Sequence, residues 1–201
     1  MSLMPDSRPR CAWLGTWAGA ADPLYRCYHD EEWGVPCRDE RALFELLTLE
    51  GAQAGLAWIT ILRKREHYRR VFKGFDIERV AAMGSNDIER LMLDAGIVRN
   101  RAKITSTLDN ARAWLVLREQ HGNVSDYLWQ FVGGAPRINH WQSMSEVPAS
   151  STESDAMSKA LKAAGFRFVG STICYAFMQA TGMVNDHTVD CFRHAELAGQ
   201  A

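Results

Sequence analysis

Apolar residues recur along most of this chain at three- and four-residue intervals, the period of a helix with one buried face. Leu43, Phe44, Leu46 and Leu47 form the first such stripe and predict a helix over 40–50, with Asp39 as its N-cap. Gly51 and Gly55 are expected to bracket a bend, after which a second helix runs over 54–72. Asp76 caps a short helix reaching 83, and Ser85 caps the next, whose Ile88, Leu91 and Met92 face inward. The stretch 93–104 reads as helix, glycine-containing turn around Gly96, and helix, the last continuing to 121 and ending at Gly122. Ser125 is expected to cap a short helix to 132, and 133–151 is the least regular segment. Thr152 or Ser154 starts a helix to 164, and a buried helix follows Gly170. The tail, 185–201, reads as short and polar. Alternating strand patterns with hairpin turn residues are scarce, so the fold class is all-α.

Composition bounds the answer without naming a function. The 201 residues are 47% hydrophobic and 23% charged, enough apolar content for a sizeable core in one unit. No apolar run approaches the roughly 18 residues of a membrane span, and the polar start of the chain lacks a signal-peptide core, so a soluble cytoplasmic protein is expected. The net charge of −1 speaks against a protein that coats nucleic acid but leaves room for a small basic footprint. Arg63, Lys64, Arg65, Arg69 and Arg70 form one basic run, and Arg99, Arg101 and Lys103 another; each also reads as a solvated helix face.

Three constellations carry possible chemistry. The first is the turn at Gly96, where Arg99, Arg101 and Lys103 surround a helix start whose free N–H groups suit a phosphate. The same pattern fits an ordinary helical corner. The second is His187 and Cys191, four apart and expected on one helix face, with Cys11 and His29 near the other end. Together they make a two-cysteine, two-histidine set of the structural zinc type; buried filler cysteines and ordinary histidines are the alternative. Five cysteines, an odd number, argue against a disulfide framework. The third is the aromatic and acidic stretch 22–36, with Trp13 before it and Glu50 and Trp58 after it. Aromatic faces can sandwich a flat cation, and a carboxylate can accept from an exocyclic amine; an aromatic core under a loop is the competing reading.

Taken together, these residues resemble the 3-methyladenine DNA glycosylase I (Tag) family. The matching blocks are YHDEEWGVP at 28–36, LEGAQAGLAWIT at 49–60, DAGI at 94–97, GFRFVGSTICY at 165–175 and GMVNDH at 182–187. The resemblance spans Cys11 to Cys191. It implies a helix-hairpin-helix DNA glycosylase fold, with a helical subdomain over about 40–135 and a zinc-binding subdomain from 11–39 together with 136–191. It implies one structural zinc on Cys11, His29, His187 and Cys191. It makes Glu50 the carboxylate that recognises the methylated base and the assigned catalytic-site residue, within a pocket of Trp13, Tyr25, Tyr28 and Trp58. Trp33 shapes that pocket indirectly. The hairpin around Gly96, with Arg99, Arg101 and Lys103, would hold the DNA backbone, and Leu56 would approach the gap left by the flipped base.

The implied reaction is monofunctional hydrolysis of the N-glycosidic bond of 3-methyladenine, and of 3-methylguanine as a second candidate, in double-stranded alkylated DNA. The expected protein is a monomer that releases 3-methyladenine and has no membrane partner. Two departures bear on residue assignments. The segment 12–21 is longer than in many relatives, which makes Trp17 a rival to Trp13, and Cys191 is followed by Phe192, Arg193 and His194, with His194 a weaker alternative ligand. Asp126 holds the place where a catalytic aspartate would be sought, although it also reads as an early helix residue. A non-enzymatic binder of DNA structure and a small-molecule helical enzyme are the rival functions.

Overall fold

The computed structural model describes residues 7–15 and 22–199. Its elements are α1 (Pro23–Cys27), a π-helical turn (Tyr28–Glu32), α2 (Glu40–Gln53), α3 (Trp58–Val71), α4 (Ile77–Ala81), α5 (Ser85–Met92), α6 (Arg101–His121), α7 (Val124–Trp129), α8 (Thr152–Ala163), α9 (Ser171–Ala180) and α10 (Phe192–Ala198). Two short strands, β1 (Arg137–Ile138) and β2 (Val184–Asn185), pair in parallel. The predominantly helical reading therefore holds, with one small bridge that two-residue strands left no pattern to reveal.

Buried Phe44, Phe75 and Trp114 meet at the centre, Phe44 standing edge-on to Trp114 at 5.6 Å between ring centres. The polar end of Trp114 is satisfied by Glu40, which also accepts from Arg118 and from the backbone N–H of Val124. One carboxylate thus ties the start of α2 to α6 and α7, and α2 in turn packs against α3 on one side and α9 on the other. That central position is what makes α2 a rigid platform for Glu50.

Several boundaries differ from expectation. Helix α2 runs through Gly51 to Gln53, so the bend occupies only 54–57 and α3 begins at Trp58 rather than Ala54. The backbone turns at Gly55, whose φ of +80° favours glycine. The extra turn of α2 is stabilised from outside: Lys103 Nζ donates to the carbonyls of Ala52 and Ala54 at 2.8 and 2.7 Å. Caps also shift. Gly84 precedes α5, its N–H bound by Asp87, and Asn123 rather than Ser125 caps α7. Ser151 caps α8 in a reciprocal pair with Ser154.

The largest correction concerns the tail. Asn185, Asp186, His187, Cys191 and Leu197 are all buried despite the polar composition. His187 and Cys191 are not on a helix; a turn between β2 and α10 brings them together. The polar side chains tolerate burial because they are paired, Asp186 alone accepting from four donors.

Candidate functional site

A cavity of ≈ 200 Å³ opens between the N-terminal segment, α2, α3 and α9. Trp13 enters it from a short 3-10 turn (Ala12–Leu14), Tyr25 from α1, Tyr28 and Trp33 from the π-helical turn and its end, Glu50 from α2, and Trp58 from the start of α3. The structure thus gathers all five residues expected to bind the base. Trp17 lies outside the described residues. Trp13 meets Tyr25 at 5.0 Å and stands edge-on to Trp33 at 5.2 Å, while Tyr28 tilts against Trp58 at 5.4 Å. These contacts fix the walls as interlocked rings, with few rotamers open to any one of them.

Glu50 is 4% exposed and makes no hydrogen bond among the described residues. Burial pushes its carboxyl up to about 8, because the charged form loses its hydration without gaining a partner. Burial, with the Glu50 charge adding to it, also raises Tyr25 and Tyr28. A lone buried carboxyl under aromatic walls is costly in an empty protein and favourable when a cation or a donor arrives.

Sequence reasoning missed Gln53, Met144, Ala176 and Gln179, which complete the lining. Gln53 was legible in principle, one helical turn after Glu50. Met144 and Gln179 were not, since they arrive from a loop and a helix remote in sequence. A second cavity of ≈ 230 Å³ shares Glu50, Gln53 and Ala176 with the first, and Leu56, 40% exposed, lines it from the 54–57 bend.

The helix–turn–helix at Gly96 is formed by α5, the turn 93–100 and α6. Helix α3 braces it at three points. Lys64 Nζ donates to Ala95 O, Tyr68 OH accepts from Val98 N, and His67 Nε2 lies 2.8 Å from Asp94 Oδ2. Asp94 Oδ1 accepts from Gly96 N at 2.8 Å. A methyl group on Gly96 would sit 2.3 Å from the His67 ring, so glycine here is demanded by the brace itself. Of the three basic residues at this helix start, Arg99 has no ion pair among the described residues and is exposed. Arg101 forms a two-pronged pair with Glu89, and Lys103 is bound to the end of α2. The other basic run is also largely paired, Arg63 with Asp22, Arg65 with Glu32 and Glu45, and Arg69 with Glu45 and Glu66.

Cys11, His29, His187 and Cys191 come together, fully buried, with their ligand atoms all within 4.8 Å of one another. His187 Nδ1 lies 3.4 Å from both sulfurs, and His29 Nε2 lies 3.6 Å from Cys191 Sγ. The opposite nitrogens are held: His29 Nδ1 by Asp30, itself paired with Arg10, and His187 Nε2 by the carbonyl of Trp33. Such outer partners fix which nitrogen faces the centre. Hydrogen bonds from Cys11, then His187 and His29, hold the Cys191 thiol low, while its neighbour's thiolate and burial push Cys11 up. This donor set can hold a metal ion. His194 is not part of it, its ring being engaged with the carbonyl of Asn139 at 2.7 Å. Cys27, Cys37 and Cys174 stand apart from the cluster, Cys174 as a buried filler.

Asp126 does not face the Glu50 cavity. It is exposed, 3.8 Å from Arg38, at a separate surface cleft. The reason is the cap shift: with Asn123 at the N-cap, Asp126 falls on the outward side of α7.

Comparison with known proteins adds an independent line. The family model described as methyladenine glycosylase matches residues 17–194. DNA-3-methyladenine glycosylase 1 of Escherichia coli (strain K12) is 53% identical over 182 residues, covering 90% of this chain and 95% of the relative. DNA-3-methyladenine glycosylase of Haemophilus influenzae is 46% identical over the same length, covering 96% of the relative. Among solved structures, a crystal structure of 3-methyladenine DNA glycosylase I superposes with a TM-score of 0.87 at 52% identity, covering 92% of this chain and 98% of that one. A Staphylococcus aureus 3-methyladenine DNA glycosylase I, described for its recognition of 3-methyladenine, superposes with a TM-score of 0.86 at 37% identity, covering 92% and 96%.

Proposed function

This chain belongs to the methyladenine glycosylase family, and from that premise we propose how its own residues perform the reaction. The protein is a base-excision-repair glycosylase that releases 3-methyladenine from alkylated DNA. The observation that carries the residue-level reading is Glu50, a buried carboxyl without a hydrogen-bond partner among the described residues, facing an aromatic-walled cavity.

The damaged nucleotide leaves the base stack to reach such a cavity. Methylation at N3 gives the base in DNA a positive charge. Its entry between the faces of Trp13, Tyr25, Tyr28 and Trp58 is favoured by the ring quadrupoles. The approaching cation also favours the charged form of Glu50, which burial had made costly. The C1′–N9 bond then breaks with its electron pair going to the base, which departs neutral. Water adds to C1′ and releases its proton to solvent, leaving an abasic site. Because the leaving group is already activated, Glu50 recognises and stabilises, and no dedicated general base is assigned. The role is monofunctional, with 3-methylguanine a weaker candidate substrate.

In the proposed docking, Arg99 and the backbone N–H groups around Gly96 meet phosphates of double-stranded DNA. Arg101, exposed with Glu89, is positioned to trade that partner for a phosphate. Lys103 belongs to the same helix start, but its ammonium supports the Glu50–Leu56 segment from behind. Leu56 stands at the cavity rim, suited to fill the gap beside the extruded base.

The metal that fits is zinc. In a tetrahedral site with Zn–S near 2.3 Å and Zn–N near 2.05 Å, sulfur and nitrogen ligands stand about 3.5 Å apart. The sulfur–nitrogen separations of 3.4 to 3.6 Å match that edge. Zinc held by Cys11, His29, His187 and Cys191 would supply a cross-link between the chain ends. Trp13 and Trp33 each touch a histidine of the cluster and line the cavity, so the cross-link would also steady two walls. We take 40–135 as the DNA-gripping part and 11–39 with 136–191 as the metal-bound part of one monomeric unit, acting in the cytoplasm where its DNA lies.

The test is release of free base from methylated duplex DNA by the purified protein. Release of 3-methyladenine without strand cleavage is the expected result. Absence of release, with folded protein and intact substrate, overturns the reading.

A further inference from the structure

We propose that Gln179, its amide turned by Asp186, is the residue by which this cavity tells an exocyclic amine from a keto oxygen, and so favours alkylated adenine over alkylated guanine. The proposal rests on the glycosylase reading above and concerns only its selectivity.

Asp186 is 1% exposed and accepts four hydrogen bonds. Asn139 Nδ2 and Trp141 Nε1 reach Oδ1 at 2.6 and 2.7 Å, while Tyr175 OH and Gln179 Nε2 reach Oδ2 at 2.7 and 2.8 Å. A carboxylate can only accept, and the indole N–H can only donate. Gln179 must therefore turn its NH2 toward Asp186. Its amide oxygen is left on the other side, without a donor among the described residues, and the side chain lines the cavity.

An amide usually adapts to its ligand by rotating half a turn, which exchanges donor and acceptor. Gln53, in the same cavity, makes no side-chain hydrogen bond among the described residues and keeps that freedom. Gln179 lacks it, because rotation would set its oxygen against the Asp186 carboxylate in a buried place. The cavity thus presents one acceptor that cannot change sense, the Gln179 oxygen, beside Glu50, which accepts as well once a cationic base favours its ionised form. An exocyclic amine has two N–H groups to offer such a pair. A keto oxygen at the same ring position offers only lone pairs, and leaves the Gln179 oxygen unmatched. Guanine carries its amine beside N3, across the ring, and cannot present it there without moving its glycosidic bond. Discrimination by a buried hydrogen-bonding group left unpaired is the strong kind, whereas apolar fit alone discriminates weakly.

The test compares single-turnover release of 3-methyladenine and 3-methylguanine from the same methylated DNA by the wild type and by Gln179→Leu. Leucine keeps helix propensity on α9 and removes the acceptor. The variant is expected to bring the two release rates about tenfold closer, mainly by slowing 3-methyladenine. Titration with the two free bases repeats the comparison without DNA, and should show the same narrowing. A wild-type protein that releases 3-methyladenine, with a Gln179→Leu rate ratio unchanged, overturns this proposal alone, whether both rates fall together or neither moves. A wild type that releases neither base overturns the parent reading, and this proposal with it.

Discussion

Glu50 illustrates how one buried residue can lower stability while lining a cavity. Its carboxyl is raised from 4.5 to about 8 by burial. Between those values the folded chain binds a proton that the unfolded chain does not, so stability falls as pH rises across that window. Glu50→Gln removes the titration. The variant should gain on the wild type progressively from pH 4.5 to 8, by about 5 kcal/mol at most, read as a rising difference in urea midpoint. The same substitution should weaken binding of free 3-methyladenine roughly 10-fold or more, the worth of a hydrogen bond to a charged group. A variant equally stable at all pH values would contradict the buried, unpartnered environment; one that binds the base unchanged would remove Glu50 from recognition.

At the scale of elements, the hairpin of α5 and α6 is not free-standing. His67 sits between Arg70 and the Asp94 carboxylate, which holds the Gly96 N–H in turn. Gly96→Ala should force the ring out of this place and cost about 1–3 kcal/mol, the usual range for overpacking. In a His67→Ala background the same change should cost far less, since the ring atoms nearest the added methyl are then gone. Additive effects in that double-mutant cycle would refute the coupling. The basic residues should also separate by readout. Arg99→Ala should lower the salt slope of DNA binding by about 1. Lys103→Met should leave the slope nearly unchanged, yet loosen the 54–57 bend and lower stability by about 1–3 kcal/mol through two lost partners of backbone carbonyls. A Lys103→Met protein with a reduced slope and full stability would return Lys103 to direct phosphate contact.

For the whole molecule, the two-cysteine, two-histidine cluster joins residues 176 positions apart in sequence, as in the Cys11–His187 contact. Metal analysis should find one zinc per chain. Removing it by chelation, or by Cys191→Ser, should lower the melting temperature steeply, because the remaining cluster side chains would stay buried without the ion that offsets their desolvation. It should also disturb Trp13 and Trp33, visible in tryptophan fluorescence. Full zinc and an unchanged melting curve in Cys191→Ser would contradict the ligand set.

The sequence by itself determined most of the helices, because each buries one stripe whose period is local, and it named Tyr28, Glu50 and Trp58 of the cavity lining, because long blocks such as 28–36 and 49–60 carry them. It also held the family resemblance that the comparisons now establish. Tertiary structure alone decided the rest. The polar tail proved buried because Asp186 and His187 find partners from other segments, Asn139, Trp141 and Trp33, which no hydrophobic pattern encodes. The bend at 54–57 was set by a lysine from α6, and much of the basic run at 63–70 was spent on Asp22, Glu32 and Glu45. Met144 and Gln179 joined the cavity only through packing. Periodicity reports what a residue does within its own element; pairing of polar groups between elements depends on where the chain returns, and that is known only once it has folded.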